Sequence, residues 1–342
     1  MTHATYHKPV LLNEAIRYLA TDPDGIYVDC TLGGGGHSAR ILQKLSGLGR
    51  LFAVDQDENA LSYAAGRFEG ESRITFIRGN FGYLDVLLPR ELHGFVTGIL
   101  LDLGVSSHQI DEPERGFSFQ QVGPLDMRMG SLQGKTAAEV VNEYEYESLR
   151  DLLFKYGEER QSARIARAII QARPLNTTGE LREVIASVVP ERFRNKSLAR
   201  IFQALRIEVN SELHMLERVL KKSQMLLCDG GRVVVITYHS LEDRICKNYF
   251  RYGNFEGRPV KDFYGNDIRP MTQLNKKVVS ASESEISDNP RARSAKLRAA
   301  FKNPARGADA DNYPGSGSQP ASEIKSGFGK QQRPGKKKGG SV

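Results

Sequence analysis

Apolar runs and amphipathic segments alternate along the first hundred residues of the chain. Short runs rich in Val, Ile, Leu and Phe lie at residues 26–30, 51–55, 74–77 and 98–102, and segments with helical periodicity separate them. Buried strands that alternate with helices are typical of a parallel sheet with crossover helices. The pattern therefore predicts an α/β fold whose strands end at one edge of the sheet.

The alternation stops after residue 102. Helical periodicity, loops and charged residues dominate residues 109–220, and a valine-rich, strand-like run follows at 230–238. We interpret residues 109–220 as a helical domain inserted into a core that is formed by residues 1–108 and 221–302. The strands before and after the insertion would then complete one sheet.

The last part of the chain contains two strand candidates and a basic tail. Segments 277–280 and 295–301 could form the last strands, although the second fits a helix equally well. From residue 303 the composition turns to Gly, Pro, Ser, Asn and Lys, which predicts a disordered tail over residues 303–342. Seven Lys or Arg and three acidic residues give this tail +4 of the net charge of +7. Because only +3 remains for the folded part, a nucleic-acid surface there requires local clustering.

Composition also bears on the location of the protein. No run approaches the roughly 18 apolar residues that a membrane span requires. The first residues lack the basic and apolar regions of a secretory signal. Cys30, Cys228 and Cys246 are widely separated and form no CxxC pair. We expect a protein of the reducing cytoplasm that has no membrane partner.

A glycine-rich turn, Gly33 to Gly36, joins the first strand to the first helix. Missing side chains let a cofactor approach the backbone, and Asp55 closes the next strand, where a carboxylate can accept hydrogen bonds from both hydroxyls of a ribose. Nicotinamide, flavin and adenosylmethionine sites share this pairing, and a tight turn without a ligand is the alternative. Ser38 replaces the third glycine of the GxGxxG pattern, which disfavours nicotinamide. His37 is either a ligand contact or a structural residue at the helix start.

Asp102 ends the fourth predicted strand, and Gly104, Ser106 and Ser107 follow it. Methyl transfer from a sulfonium needs no metal and no covalent intermediate, but it needs an aligned nucleophile and an acceptor for its proton. Asp102 is placed to hold a cofactor or to accept a hydrogen bond from a substrate amine, and a capping role is the alternative. Amino-methylating enzymes often have a DPPY-like motif at this point, whereas this chain has DLGV.

The segment His239-Ser-Leu-Glu-Asp-Arg244 follows the fifth predicted strand. A catalytic triad is improbable here, because adjacent His and Ser residues in one turn rarely face each other. Ser240 followed by Asp243 predicts a helix N-cap box. Tyr238 and His239 could still line the crevice and contact a base.

Basic residues cluster inside the predicted insertion. Between residues 160 and 206 there are ten Lys or Arg and three acidic residues. Arg160, Arg164 and Arg167 have helical spacing that predicts a shared face, and Arg194 extends the patch. Guanidinium groups so arranged could clamp phosphates, although a charge run is also typical of a solvated face. We interpret the cluster as an RNA-binding surface.

Several longer motifs strengthen this interpretation. They include His7-Lys-Pro-Val-Leu-Leu-Asn-Glu14, Asp29-Cys-Thr-Leu-Gly-Gly-Gly-Gly-His-Ser38, Leu100-Leu-Asp-Leu-Gly-Val-Ser-Ser107, Gly123-Pro-Leu-Asp-Met-Arg-Met129, His239-Ser-Leu-Glu-Asp-Arg244 and Asn289-Pro-Arg-Ala-Arg-Ser294. With these motifs the chain closely resembles the ribosomal RNA small subunit methyltransferase H family, also called MraW. The resemblance extends over about residues 7 to 301.

The resemblance implies a class I, Rossmann-like methyltransferase core with an inserted helical substrate-recognition domain. It implies S-adenosylmethionine as cofactor and N4-methylation of a cytidine in the decoding region of 16S ribosomal RNA. The expected partner is that RNA within the small ribosomal subunit, and a homodimer is left open. The positions that match the family's cofactor contacts are Gly35, Gly36, His37, Asp55, Phe81, Asp102 and Gln109.

Individual roles follow from the same resemblance. Phe81 would pack against adenine, Asp55 would hold the ribose, and Asp102 and Gln109 would lie near the methionine moiety. Asp102 is the first candidate for the proton acceptor, with Ser106 and His239 in support. Apart from the resemblance, the basic cluster makes Arg160, Arg164, Arg167 and Arg194 the expected RNA contacts.

Three other functions compete with this interpretation. A methyltransferase for DNA or for a protein amine is the nearest, and the family motifs in the insertion argue against it. A non-catalytic RNA-binding assembly factor would keep the fold, but Asp55 and Asp102 are both intact. A nicotinamide oxidoreductase is disfavoured by the absent third glycine.

Overall fold

The computed structural model describes residues 9–130 and 134–304. The first two residues of the His7 motif and nearly all of the predicted tail therefore lie outside the described residues. The strands are β1 Ile26–Asp29, β2 Arg50–Asp55, β3 Ile74–Arg78, β4 Val96–Asp102, β5 Leu227–Thr237, β6 Met271–Gln273, β7 Val279–Ser280 and β8 Lys296–Lys302.

Helices connect these strands and fill the segment between β4 and β5. They are α1 Leu12–Leu19, α2 Gly36–Leu42, α3 Glu58–Arg67, α4 Leu84–Leu87, α5 Ser107–Asp111, α6 Ala137–Glu143, α7 Tyr146–Gly157, α8 Ser162–Ala172, α9 Thr178–Val188, α10 Glu191–Asn210, α11 Glu212–Leu226, α12 Ser240–Tyr252 and α13 Glu283–Asp288. Short 3₁₀ helices occur at Phe81–Tyr83, Arg90–Leu92, Pro113–Arg115 and Pro290–Ser294. Within the described ranges, no helix is long and apolar enough to cross a bilayer.

The strands form one sheet with the order β3-β2-β1-β4-β5-β8-β6, and β7 pairs with β8. Strands β1 to β5 are parallel, whereas β8 runs antiparallel to β5 and β6. Residues 295–301, which fitted a strand or a helix, thus lie almost entirely in a strand. The strand order reverses between β1 and β4, and ligands of doubly wound sheets bind at such a switch point, outside the carboxyl ends of the strands.

Both faces of the sheet are buried, which explains the continuous apolar runs in the sequence. On one face Val28, Ile99, Val233 and Val235 pack with α11 and α12. On the other face Tyr27, Leu100, Val234 and Ile236 pack with α1 and α2. Alternate residues of β5 point to opposite faces, so a run of apolar residues serves both cores.

The helices between β4 and β5 have a hydrophobic core of their own. Residues from Phe117 to Leu205, including Leu153, Ile165 and Leu181, form this cluster. Helix α11 belongs to the sheet instead, since Leu216, Val219 and Leu220 pack in the core beneath β4 and β5. The predicted boundary at residue 220 therefore falls inside a helix.

Candidate active site

A pocket opens at the carboxyl ends of β1, β2 and β4, next to the switch point. The predicted residues that line it are Gly36, His37, Asp55, Phe81, Asp102, Ser106 and Gln109. Residues that the sequence-based prediction of the site left out also line it, and they include Asp57, Met129, Glu212 and Glu242. Gly35 and His239, which were predicted as site residues, are not among the lining residues.

The glycine turn takes a backbone shape that other residues rarely adopt. Gly33 has φ +48° and Gly35 has φ +71°, both in the left-handed region. A Cβ on Gly35 would lie 2.7 Å from the Phe68 ring, so this glycine shapes the turn from outside the pocket. The turn is tied to the next strand, because the Gly33 amide donates to Asp55 Oδ2 at 2.8 Å.

Hydrogen bonds from two backbone amides fix the positions of both carboxylate oxygens of Asp55. Its Oδ1 accepts from the Asp57 amide at 2.9 Å, and its Oδ2 accepts from Gly33. Burial raises the pKa of Asp55 to about 6, against the lowering effect of these two backbone hydrogen bonds. Each carboxylate oxygen has two lone pairs, so Asp55 can still accept hydrogen bonds from ribose hydroxyls in the pocket.

Asp102 is enclosed by groups from three different parts of the chain. Tyr238 donates its hydroxyl to Oδ1 at 2.8 Å, and His37 Nδ1 lies 3.6 Å from Oδ2. The backbone amide of Asp102 donates to Thr31 Oγ1 at 2.7 Å. His37 Nε2 lies 3.1 Å from the Val10 carbonyl, which only accepts, so this nitrogen carries a proton.

Burial raises the pKa of Asp102 to about 6, while the charge of His37 and the hydrogen bond from Tyr238 oppose that rise. Its side chain is only 10% exposed. A carboxylate in this range is ionised at neutral pH but more basic than an exposed aspartate. It can therefore accept a proton from a substrate amine.

Ser106 and Gln109 cap helix α5. Ser106 Oγ accepts from the Gln109 amide at 3.2 Å, and Gln109 Oε1 accepts from the Ser106 amide at 3.0 Å. Gln109 Nε2 also donates to Asp57 Oδ2 at 2.9 Å, as does Arg115 Nη1 at the same distance. The side-chain amide of Gln109 therefore links the start of α5 to Asp57 in the wall of the pocket.

The predicted N-cap box at Ser240 is wrong by one residue. His239 is the N-cap of α12: its Nδ1 accepts from the Glu242 amide at 3.4 Å, and Glu242 Oε2 accepts from the His239 amide at 3.2 Å. The box needs an acceptor three residues after the cap, and the buried Glu242 provides it. Ser240 Oγ donates instead to Glu158 Oε2 at 2.7 Å.

A largely buried cluster of ionisable side chains lies at the wall of the pocket. Glu212, His239 and Glu242 each bring one potential metal-ligand atom within 4.8 Å of the others. Arg206, however, donates to both carboxylate oxygens of Glu212, at 2.7 and 2.9 Å. His239 Nε2 lies 3.1 Å from Glu242 Oε1, without the geometry of a hydrogen bond. Because Arg206 already pairs with both oxygens of Glu212, an ion pair describes this cluster better than a metal site.

The predicted RNA contacts lie outside the pocket lining. Arg164 and Arg167 are exposed on α8, but Arg160 precedes that helix, so the single helical face predicted for the three is wrong. Helix α7 ends at Gly157 and the turn begins at Glu158, with φ +49°, a break that the residue spacing does not show. Arg194 lies on α10.

The sequence model of the MraW methylase family matches residues 4–303. The chain belongs to the MraW methylase family. The predicted family and the predicted fold class are both confirmed: the core is a class I, Rossmann-like methyltransferase fold.

Relatives in the MraW family match nearly the whole folded part. The ribosomal RNA small subunit methyltransferase H of Flavobacterium johnsoniae is 50% identical over 306 residues, which cover 88% of this chain and 99% of that protein. The protein of the same name from Bacteroides fragilis is 49% identical over 301 residues, 87% of this chain and 98% of that protein.

Solved structures with similar folds have much lower identity to this MraW chain. TrmN from Thermus thermophilus is 14% identical with a TM-score of 0.40, and the match covers 85% of this chain and 48% of that one. Fibrillarin from Aeropyrum pernix, determined with bound S-adenosyl-L-methionine, is 11% identical with a TM-score of 0.36, and the match covers 84% of this chain and 73% of that one.

Proposed function

We propose that this protein methylates N4 of a cytidine in the decoding region of 16S ribosomal RNA, with S-adenosylmethionine as methyl donor. Asp102 carries the proposal, since it is buried at the switch point of the sheet and held by Tyr238 and His37. Membership of the MraW family and relatives named ribosomal RNA small subunit methyltransferase H support the RNA substrate.

The pocket has the features that S-adenosylmethionine requires. The glycine turn leaves room beside the backbone, Asp55 offers acceptors for the ribose hydroxyls, and Phe81 offers an aromatic face for adenine. When bound, the donor supplies an electrophilic methyl group on a sulfonium. These are the same roles that the family resemblance implied.

Asp102 acts on the substrate amine. The lone pair of a cytosine amine is conjugated with the ring, so the amine is a weak nucleophile, and carboxylates are natural acceptors for its N–H groups. N4 forms a bond to the methyl carbon as the carbon–sulfur bond breaks, and one N4 proton passes to the Asp102 carboxylate. Tyr238 and His37 keep that carboxylate ionised and oriented. Ser106 and His239 stay candidates for supporting roles.

The helical segment between β4 and β5 would hold the RNA. Arg164 and Arg167 are exposed on α8, Arg160 is exposed just before that helix, and Arg194 lies on α10. The charge of this patch is modest, so charge alone would bind RNA only weakly. We therefore expect the substrate to be the assembled small subunit, whose folded RNA and proteins present a defined shape. The cytoplasmic location and the homodimer stay predictions.

The test is mass spectrometry of nucleosides from 30S subunits that were incubated with the protein and labelled S-adenosylmethionine. We expect labelled N4-methylcytidine with the wild type, a loss of at least a hundredfold with Asp102→Ala, and full activity with Glu69→Gln, which changes an exposed carboxylate. Label in another nucleoside or in protein would refute the cytidine assignment. Cofactor binding without any turnover would favour the assembly-factor alternative.

A second arm compares naked 16S RNA with intact 30S particles as substrates. We expect the particle to be methylated faster, because its proteins and folded RNA present the target in a fixed shape. Equal methylation of both substrates would defeat the particle hypothesis and leave the cytidine assignment intact.

A further inference from the structure

A groove separate from the active-site pocket lies between α9 and α10, and residues 119–120 close one side of it. Its cationic walls are Arg182 from α9 and Arg194 from α10, and Asn195 adds a polar group. Phe119 and Leu198 form an apolar wall, and Glu183 is the acidic residue at the groove.

The donors of the two arginines are largely unused. Arg182 Nη1 reaches the Phe119 carbonyl only at 3.4 Å, and Arg194 Nη2 reaches the Ala186 carbonyl at the same distance. Arg194 Nε is buried and has no hydrogen-bond partner within the described part of the chain. A guanidinium has five N–H donors, so most of the capacity of both side chains remains open.

Other arginines of α10 are committed to neighbours. Arg200 pairs with the buried Glu159 at 3.6 Å, and Arg206 makes a two-pronged pair with Glu212. The guanidinium of Arg192 lies 4.6 Å from the centre of the Phe193 ring. Arg194 thus differs from Arg200 and Arg206 in having no acidic partner within the described part of the chain, and it lies opposite Arg182 at the groove.

We infer that this groove binds a backbone phosphate of the RNA substrate through Arg182 and Arg194. Planar guanidinium groups match phosphate oxygens, and such charge-assisted hydrogen bonds are the strong ones. The edge of Phe119, fixed against Phe202 at 5.5 Å between ring centres, gives the adjoining sugar or base an apolar surface. The inference rests on the proposed RNA substrate. It adds Arg182 to the expected RNA contacts and gives one backbone phosphate a defined position.

Glu183 allows a second test of the inference, because a carboxylate at the groove repels the phosphate that the arginines attract. Removing an arginine and removing this acid should therefore change RNA affinity in opposite directions. A role of Arg182 and Arg194 in folding alone would not produce that reversal.

The experiment measures binding of the full-length protein to a fluorescent single-stranded RNA of about 30 nucleotides at several salt concentrations. We expect Arg182→Gln and Arg194→Gln each to weaken binding about tenfold and to lower the slope of log Kd against log salt by about 0.7. Glu183→Gln should tighten binding about threefold. The exposed Arg90→Gln is the matched control for charge and should change affinity much less. Thermal unfolding of each variant checks that the fold is intact.

Two results would overturn the inference. Equal losses in Arg90→Gln and in the groove variants would assign the effect to overall charge. RNA binding that both groove variants keep in full, together with a stabilisation by inorganic phosphate that they lose, would reassign the groove to a free anion. Absence of N4-methylcytidine with the wild type would instead refute the proposed function, so the two failures are distinguishable.

Discussion

Replacement of Tyr238 by Phe tests the assignment of Asp102 as proton acceptor. The change removes the hydroxyl that donates to Asp102 Oδ1 at 2.8 Å and leaves the ring, which packs over Gly104. This hydrogen bond stabilises the ionised carboxylate and so lowers the pKa of Asp102. Its loss should raise that pKa above the wild-type value of about 6.

The size of the effect follows from the strength of the bond. A hydrogen bond to a charged group contributes about 1.5–3 kcal/mol, and 1.36 kcal/mol corresponds to about one pKa unit. Protonated Asp102 would keep part of the bond, so we expect a rise of about one unit. Activity needs the ionised carboxylate. The variant should therefore be about threefold slower than the wild type at pH 6.5 and nearly equal at pH 8.5.

The assay is the pH profile of kcat/KM for 30S methylation, measured from pH 5.5 to 9. The acid limb should move from near pH 6 to near pH 7 in Tyr238→Phe and stay in place in Tyr252→Phe, whose ring lies at the far end of α12. A loss of activity that is constant across the whole profile would show that Tyr238 acts through geometry alone. An unmoved limb with normal activity would refute the role of Asp102 as acceptor.

Three further predictions concern stability and cofactor binding. Asp102→Asn should raise the free energy of unfolding by about 3 kcal/mol at pH 8 and by little at pH 4. The pKa of Asp102 is raised from 3.8 to about 6 in the fold, so the carboxyl destabilises the fold progressively as the pH rises from about 4 to 6 and fully above pH 6. Urea unfolding at both pH values checks it. Asp57→Ala should lower the free energy of unfolding by about 3 kcal/mol, since it removes the α3 cap and leaves Arg115 unpaired; urea unfolding measures this as well. Gly35→Ala should destabilise the fold by about 1–2 kcal/mol, because residue 35 has a positive φ and the added methyl group would collide with the Phe68 ring. The same change should weaken S-adenosylhomocysteine binding, which calorimetry measures.

Each of these predictions has a control or a contrary outcome. A stability difference for Asp102→Asn that is the same at pH 4 and pH 8 would exclude the linkage to ionisation. Asp57→Asn keeps an acceptor and should cost less than Asp57→Ala. Gly47→Ala adds a methyl group in open space and should change neither stability nor binding.

The sheet and the positions of its carboxylates could be predicted from the sequence because strands buried on both faces are continuous apolar runs. Asp55 and Asp102 each end such a run, so their meeting at one edge follows from parallel pairing. The same reasoning could not anticipate that Tyr238 donates to Asp102, because 136 positions separate them and the predicted insertion lies between.

Local rules failed where tertiary contacts decided the outcome. Ser is normally preferred over His as an N-cap, but the buried Glu242 selects His239 for α12. Helical spacing placed Arg160 on the face of Arg164, yet the left-handed Glu158 begins the turn that separates α7 from α8. No feature of the sequence marks either event. The groove at Arg182 was missed for a similar reason, since its arginines come from different helices.

Of the strands in the described ranges, the one that comes last in sequence lies inside the sheet and not at its edge. Strand β8 separates β5 from β6 and pairs with β5 from Arg232 to Thr237. During translation, every partner of β8 is therefore synthesised before residues 296–302 leave the ribosome. Until then β5 has an unpaired edge, which is a template for pairing with another chain. The sheet can thus be completed only after Lys296–Lys302 has been synthesised, and a nascent chain stalled shortly before Lys296 would be exposed to aggregation.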